Sequence, residues 1–299
     1  VKRGSFPGRL RSGVPLVLDG AMGTALMGRG MPPGECPEAL NLSHPGWIAE
    51  AHRGHLEAGA DLLTSNTFGA SPLKLAPHGL DSRAEEINLR AVDILREAAA
   101  GRAWLAGSIG PSGRLLLPHG DMEPVEVRDS FRRQAGALAR AGVDAFIVET
   151  ATDLAEALLA LEACRETDPA IPVLVTLTFD EGPRGFCTLM GQTAGDCAGA
   201  LERAGADAVG SNCGVGIDGM VPIIRRMREA TALPLIVQPN AGLPVQDLEN
   251  WTYPQTPEFF EEWAPLLLGA GVTLIGGCCG TTPDHIRALR RAVDGRAAG

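Results

Sequence analysis

Tyrosine occurs once in 299 residues, aromatic side chains make up only 4%, and no basic stripe is interleaved with those few rings. With 26 Lys+Arg against 36 Asp+Glu, the formal charge of −10 argues against a nucleic-acid partner. A membrane span is missing too. The longest charge-free run, Trp263 to Pro283, holds five glycines and a turn signal in its middle, so it reads as a helix end feeding a buried strand. The N-terminal residues carry Lys2, Arg3, Arg9 and Arg11 but no apolar core of a signal peptide, and residues 1–13 are expected to be a tail. Nor is there an even cysteine framework. Seven cysteines (36, 164, 187, 197, 213, 278 and 279) form an odd, irregular set that points to a soluble protein of the reducing cytoplasm.

Two further absences bear on the fold. No G-x-G-x-x-G follows the first β-prone run, where DGAMGT offers only two glycines three apart, and this weighs against an open dinucleotide-binding sheet. No Pro/Ser-rich linker divides the chain. What is present is an alternation of short β-prone runs with longer amphipathic patterns, repeated eight times. The expected strands are LVLDG (16–20), DLLTSNTF (61–68), WLAGSIG (104–110), AFIVET (145–150), VLVTLTF (173–179), AVGSNC (208–213), LIVQPN (235–240) and TLIGGCC (273–279). Between them lie helices such as VRDSFRRQAGALARAG, apolar at three- and four-residue spacing and arginine-rich on the other face. An internal echo, AGAD at 58–61, AGVD at 141–144, AGAD at 204–207 and AGVT at 270–273, places a glycine where each helix must end before the next strand. The expectation is one α/β domain over 14–299, a single closed (β/α)8 TIM barrel.

In such a barrel the strand ends converge on one mouth. Read in order they give Asp19, Asn66 with Thr67, Ser108, Glu149, Cys213, Asn240, and Cys278 with Cys279. Adjacent residues of a regular strand point to opposite faces, so Cys278 and Cys279 share a partner only if the strand breaks, which Gly276, Gly277 and Gly280 permit. Three thiols from strands six and eight then make an open site for a zinc ion, with one position left for a guest; plain burial of the cysteines is the competing reading. An ion among three thiolates is a poor Lewis acid but holds a fourth thiol deprotonated and nucleophilic, which favours alkyl transfer to sulfur over hydrolysis. Asp19 and Glu149 suit acid–base work, an ammonium clamp, or structural capping and ion pairing. Asn240 suits an Asx turn or a metal contact. The six histidines, at 44, 52, 55, 78, 119 and 285, fall away from strand ends and are expected in surface or capping roles. Cys36, Cys164, Cys187 and Cys197 are expected to be packing or surface residues. Long segments after strands two, three, five and seven are expected on the catalytic side, with Leu115, Leu116 and Leu117 as an apolar contact for a donor protein or as rim packing.

The segments DGAMGT (19–24), TSNTFGAS (64–71), GSIGP (107–111), VETATDLAEA (148–157), GSNCG (210–214), QPNAGLP (238–244) and GGCCGTTPDHI (276–286) together resemble the homocysteine S-methyltransferase family from about residue 14 to residue 293. GGCCGTTP joined to a distant N-C-G is the most specific part. The resemblance implies a zinc-dependent barrel that methylates homocysteine to methionine, with Cys213, Cys278 and Cys279 holding the metal and the homocysteine thiol taking the fourth place. It also implies Asn240 as fourth ligand when substrate is absent, Asp19 and Glu149 at the substrate amino group, and Thr67 and Ser108 in the substrate pocket. NTFGAS, LMGQT and PNAGLP are closest to the cobalamin-dependent methionine synthase branch, whose other modules 299 residues do not hold. A methylated corrinoid (methylcobalamin) on a separate protein is therefore the expected donor. The alternatives are S-methylmethionine, S-adenosylmethionine or betaine as donor, another small thiol as acceptor, or a non-catalytic barrel with a structural zinc site.

Overall fold

The computed structural model describes residues 4–32, 34–182, 185–247 and 250–297. Residues 1–3 of the expected tail, 33, 183–184 and 248–249 of the long segments, and 298–299 lie outside that description. Eight parallel strands, β1 (Leu16–Val17), β2 (Leu62–Thr64), β3 (Trp104–Ile109), β4 (Ala145–Ala151), β5 (Val173–Leu177), β6 (Ala208–Gly216), β7 (Leu235–Asn240) and β8 (Val272–Ile275), run in the order β1-β8-β7-β6-β5-β4-β3-β2. The sheet closes through a parallel bridge between Leu18 and Leu62, flanked by Asp61 N–H to Val17 O at 2.7 Å and Asp19 N–H to Leu62 O at 3.1 Å. The helices α1 (Pro45–Glu57), α2 (Ala84–Ala99), α3 (Pro124–Ala141), α4 (Leu154–Thr167), α5 (Ala194–Arg203), α6 (Ile217–Ala230), α7 (Pro257–Gly269) and α8 (Pro283–Ala297) form the outer ring. This is the single (β/α)8 barrel that the eightfold alternation predicts.

The AG-x-D echo has a physical use beyond its glycine. Gly59, Gly142, Gly205 and Gly271 all have positive φ, as the helix-ending role requires. In the first three units the following aspartate reaches back to the preceding strand. Asp61 Oδ2 accepts from Val17 N–H at 2.9 Å, Asp144 Oδ2 from Leu105 N–H at 2.8 Å, and Asp207 Oδ2 from Val173 N–H at 2.8 Å. Each carboxylate thus fixes strand register at the lower rim. Asp144→Ala is expected to lower unfolding free energy by about 1–2 kcal/mol, the cost of a stranded N–H; urea melts check this, and substrate affinity should be unchanged.

Barrel interiors follow the period of two. Leu16, Leu18, Leu62, Ala106, Ile147, Leu174, Ala208, Ile236 and Leu274 form an apolar lower filling, all essentially buried. One step up the same strands come Thr64, Ser108, Glu149, Thr176 and Gln238, so the filling turns polar toward the mouth. Phe6 and Leu10 join the lower cluster from a short helix, Phe6–Arg11, which covers the barrel floor. The segment expected as a tail is therefore partly structural, because two apolar side chains four apart on one helical turn can plug the open end.

Several strand ends differ from expectation. β8 stops at Ile275 rather than running through Cys279, and β1 and β2 are shorter, because the residues beyond leave the sheet to build the mouth. Two hairpins were not anticipated: Asp180–Gly182 with Gly185–Cys187, and Val245–Asp247 with Asn250–Thr252, in the segments after β5 and β7. No helix among the described residues is long and apolar enough to cross a membrane.

Candidate active site

The sulfur cluster is made by two kinds of broken strand. At the end of β6, Cys213 adopts φ +60, followed by Gly214 at φ +73. Left-handed backbone at a non-glycine residue costs on the order of 1–3 kcal/mol and persists only where neighbours enforce it. Asn212 supplies that enforcement. Its Oδ1 accepts from Thr150 N–H at 2.8 Å and Thr176 Oγ1 at 2.7 Å, its Nδ2 donates to Thr150 Oγ1 at 2.7 Å, and Thr150 itself has φ +60. Beyond β8 the chain passes through Gly276, where a Cβ would lie 2.7 Å from Leu18 Cβ and 2.8 Å from Asp19 O. Gly280 then turns with φ +78 under the Tyr253 ring, leaving no room for a side chain. The turn is tied to both neighbours: Gly277 N–H to Asp19 O at 2.9 Å, Cys278 N–H to Pro239 O at 2.7 Å, and Ala241 N–H to Cys279 O at 2.9 Å.

The result is that the Sγ atoms of Cys213, Cys278 and Cys279 all lie within 4.8 Å of one another. All seven cysteines are unbridged. Zinc–sulfur bonds of about 2.3 Å put tetrahedral thiolates about 3.8 Å apart, a spacing compatible with sulfurs that all lie within 4.8 Å of one another. The protonation pattern supports the same reading. Cys213 is held far below the ordinary thiol range by hydrogen bonds from Cys278, then Cys279; those two are pushed up, each chiefly by its bond to Cys213. The hydrogen bonds among the sulfurs thus favour ionisation of one thiol, a role that a divalent cation can take over for all three. The amide of Asn240 contacts the Cys213 sulfur, while its buried Oδ1 has no partner among the described residues. Tyr253, the chain's one tyrosine, directs its hydroxyl to Cys279, and burial followed by the nearby sulfurs pushes its pKa up to about 12.

Beside the sulfurs opens a cavity of about 310 Å³. Asp19, Ser108, Glu149, Cys213, Cys278 and Cys279 line it, as the strand-end reading expects. Asp19 is oriented by Thr64, whose N–H donates to Oδ2 at 2.7 Å and whose hydroxyl donates to Oδ1 at 2.9 Å. Ser108 donates to Glu149 through a short hydrogen bond. Burial pushes both carboxylates up to about 7, partly opposed by these hydrogen bonds, and the charge of Glu149 raises Asp19 further. Such a pair is poised for a cationic guest.

Thr67 stands behind the wall rather than on it. It is fully buried, donates to Ser108 O at 2.7 Å, and shares a 2.7 Å contact with Ser65 Oγ. Asn66 lines the cavity, and its Nδ2 donates to Pro37 O at 2.8 Å and Asn41 Oδ1 at 3.0 Å. Sequence reasoning missed Tyr253, Gln238, Glu38, Met22, Met27 and Phe68 on the same lining. Gln238 was within reach, since it lies two residues before Asn240 on one strand and must share its face. The others come from loops and helical turns too short to show a period: Met27 closes the helix Gly23–Met27 and Glu38 sits in the single turn Pro37–Ala39.

The histidine expectation fails at two positions. His52 and His55 are buried on α1, where packing against the rest of the barrel lowers their pKa to about 3 and about 4, so both are neutral. His55 donates to the Ala21 carbonyl, bracing the loop that carries Asp19. His44, His78 and His119 are exposed, and His285 accepts from Thr282 N–H at the start of α8. Cys36, Cys164 and Cys197 are buried packing residues and Cys187 is half-buried.

A closed (β/α)8 barrel with three convergent thiols and two carboxylates at its mouth, Asp19 buried and Glu149 half-buried, defines an enzyme site whose donor set suits a soft cation. The profile of the homocysteine S-methyltransferase family matches residues 16–293, and the chain belongs to that family. It is 35% identical over 297 residues to methionine synthase of Mycobacterium leprae (strain TN), and 33% identical over 295 residues to that of Mycobacterium tuberculosis (strain ATCC 25618 / H37Rv). Each alignment covers 93% of this chain but 24% of the relative, so the chain spans about a quarter of those proteins' length. The homocysteine methyltransferase MmuM from Escherichia coli, in its metallated form, superposes with a TM-score of 0.78 at 26% identity, covering 95% of this chain and 98% of that one.

Proposed function

We propose that this barrel methylates the thiol of homocysteine, giving methionine, with a zinc ion held by Cys213, Cys278 and Cys279. The observation that carries the reading is the placement of the three sulfurs and the Asp19–Glu149 pair on one cavity. Cys213, Cys278 and Cys279 would hold a zinc ion, which would supply one thing, a site where the substrate sulfur stays ionised at neutral pH. The remaining work belongs to side chains. Asp19 and Glu149, fixed by Thr64 and Ser108, hold the substrate ammonium through charge-assisted hydrogen bonds. Asn240, whose amide contacts the Cys213 sulfur and whose Oδ1 has no partner among the described residues, would help hold the ion when substrate is absent. Met22, Met27, Phe68 and Tyr253 line the cavity and displace water from the reacting sulfur. The sulfur attacks the donor methyl in line; the new S–CH3 bond forms as the methyl–donor bond breaks, and its electron pair leaves with the donor. No covalent enzyme intermediate is required.

A methylated corrinoid held outside this barrel is the favoured donor. Support comes from the NTFGAS, LMGQT and PNAGLP segments, from the higher identity to the methionine synthases, and from the exposed apolar collar at the mouth. That collar includes Met27, Phe68, Leu115, Leu117, Leu189, Leu243 and Val245, all on segments following strand ends, and it suits a large partner. The test is methionine formation with zinc-loaded protein and methylcobalamin, S-methylmethionine or betaine in parallel. Methylcobalamin is expected to be the best substrate by at least about tenfold, the collar being open to a bulky donor; activity confined to S-methylmethionine would overturn the donor assignment.

A further inference from the structure

The cavity has two chemical ends, an amine end at Asp19 and a sulfur end at the Cys278 turn, carried by loops that are far apart in sequence. Two bonds join those loops. One is the backbone contact from Gly277 N–H to Asp19 O at 2.9 Å. The other is a side chain, Thr281, whose hydroxyl accepts from Ala21 N–H at 3.1 Å and donates to Cys278 O at 2.7 Å. Thr281 is 3% exposed and is absent from the cavity lining, so it is not placed to touch a guest.

The fit around it is close. A Cβ at Gly20 would lie 2.8 Å from Thr281 Oγ1 and 2.9 Å from His55 Cε1, and one at Gly277 would collide with the Thr281 side chain. The hydroxyl therefore fills the gap between the two loops, with His55 backing the far side of Gly20. Removing it strands the Ala21 N–H on the Asp19 loop and leaves the Cys278 carbonyl with the Thr281 backbone N–H alone, at 3.1 Å, so the side-chain link between the loops is gone.

We propose that Thr281 is a positioning residue that sets the separation of Asp19 from Cys278, and that this separation selects the length of the amino-thiol acceptor, admitting homocysteine over cysteine. The inference rests on the proposed function, since it assigns the two ends to amine and thiol. Homocysteine and cysteine differ by one methylene between those groups, and a misplacement of about 1 Å costs on the order of a hundredfold. A rigid link rejects the shorter molecule because it cannot reach both ends. A slack link lets the loops close on it.

The experiment is calorimetric titration of zinc-loaded wild type, Thr281→Val and Thr281→Ser with homocysteine and with cysteine, without a methyl donor. Thr281→Val keeps the shape and removes the hydroxyl, whereas Thr281→Ser keeps the hydroxyl. In Thr281→Val the zinc stoichiometry should match wild type, homocysteine should bind about tenfold more weakly, and its preference over cysteine should shrink by at least about tenfold, each methylene in a fitted site being worth 10–200-fold. Thr281→Ser should restore the preference to within about threefold of wild type, since it keeps both hydrogen bonds. If Thr281→Val does not fold, Thr281→Ala removes the same hydroxyl without added bulk and carries the same expectation. An unchanged preference, loss of zinc from the valine variant, or failure of serine to restore selectivity overturns the proposal. So does equal binding of both amino thiols by wild type. Selective binding without any methylation of homocysteine would instead overturn the functional reading and leave Thr281's role standing.

Discussion

Cys278→Ser is expected to abolish both zinc retention and homocysteine methylation while the barrel stays folded. Serine keeps the size and the turn, but a hydroxyl does not ionise near neutral pH and is a harder donor than a thiolate. Substitution of outer-shell partners alone costs 10–100-fold in metal affinity or activity, so loss of a ligand should cost more than about a hundredfold in both. Cys278 is well chosen, since its backbone is bonded to Pro239 and Thr281 whatever the side chain, and the turn should persist. Metal analysis after dialysis, circular dichroism and the methylation assay give the answer together. A serine variant with full zinc and full activity would remove the basis of the proposed mechanism, and X-ray absorption unchanged by homocysteine would favour a closed structural site.

The second large effect concerns Glu149. Glu149→Gln is expected to weaken homocysteine binding at pH 8 by at least about tenfold, as a charge-assisted bond to the ammonium is lost. The same substitution is expected to stabilise the substrate-free protein at that pH, because an ionised carboxylate held partly away from water is a burden without its partner. The sign follows from the pKa shifts. Asp19 and Glu149 are raised to about 7 from 3.8 and 4.5, so the folded state holds their protons more tightly than the unfolded chain. Their contribution to stability is full below the unfolded values and is lost as pH rises through about 7. Substrate affinity runs the opposite way. Binding an ammonium requires the carboxylates ionised, so KM for homocysteine should climb as pH falls below about 7, by up to about tenfold per unit for each carboxylate. Two controls isolate the cause: Glu149→Gln should flatten the slope, and 4-mercaptobutyrate, which has the thiol but no amine, should show only the dependence belonging to its sulfur. A steep slope retained in the variant would reassign the ammonium site.

On these expectations, substrate binding and apo stability pull against each other at one pair of residues. The hydrogen bonds from Thr64 and Ser108 hold the carboxylates in place without neutralising them. Under the proposed function, that arrangement leaves the compensating charge to the substrate ammonium.

Much of this was legible in the chain. The eight β-prone runs located all eight barrel strands, since parallel buried strands are nearly continuous apolar runs between helices of period 3.6. The AG-x-D echo marked four helix ends correctly, but not that three of its aspartates clamp the preceding strand, because hydrogen bonds across a sheet leave no local pattern. Thr67 shows the limit in the other direction. Its place near a strand end put it close to the mouth, yet the direction of its hydroxyl, toward Ser108 O, was fixed by packing.

The sequence alone determined the periodicity, the order of the elements, and the presence of three thiols on backbone loosened by glycine, because residue type and spacing are local properties. The tertiary structure decided what meets what. It brought Cys213 to within 4.8 Å of a pair more than sixty residues away, pressed Tyr253 over Gly280, and joined Ala21 to Cys278 through one hydroxyl. Such contacts depend on barrel closure, which sets distances between loops that no stretch of chain encodes on its own.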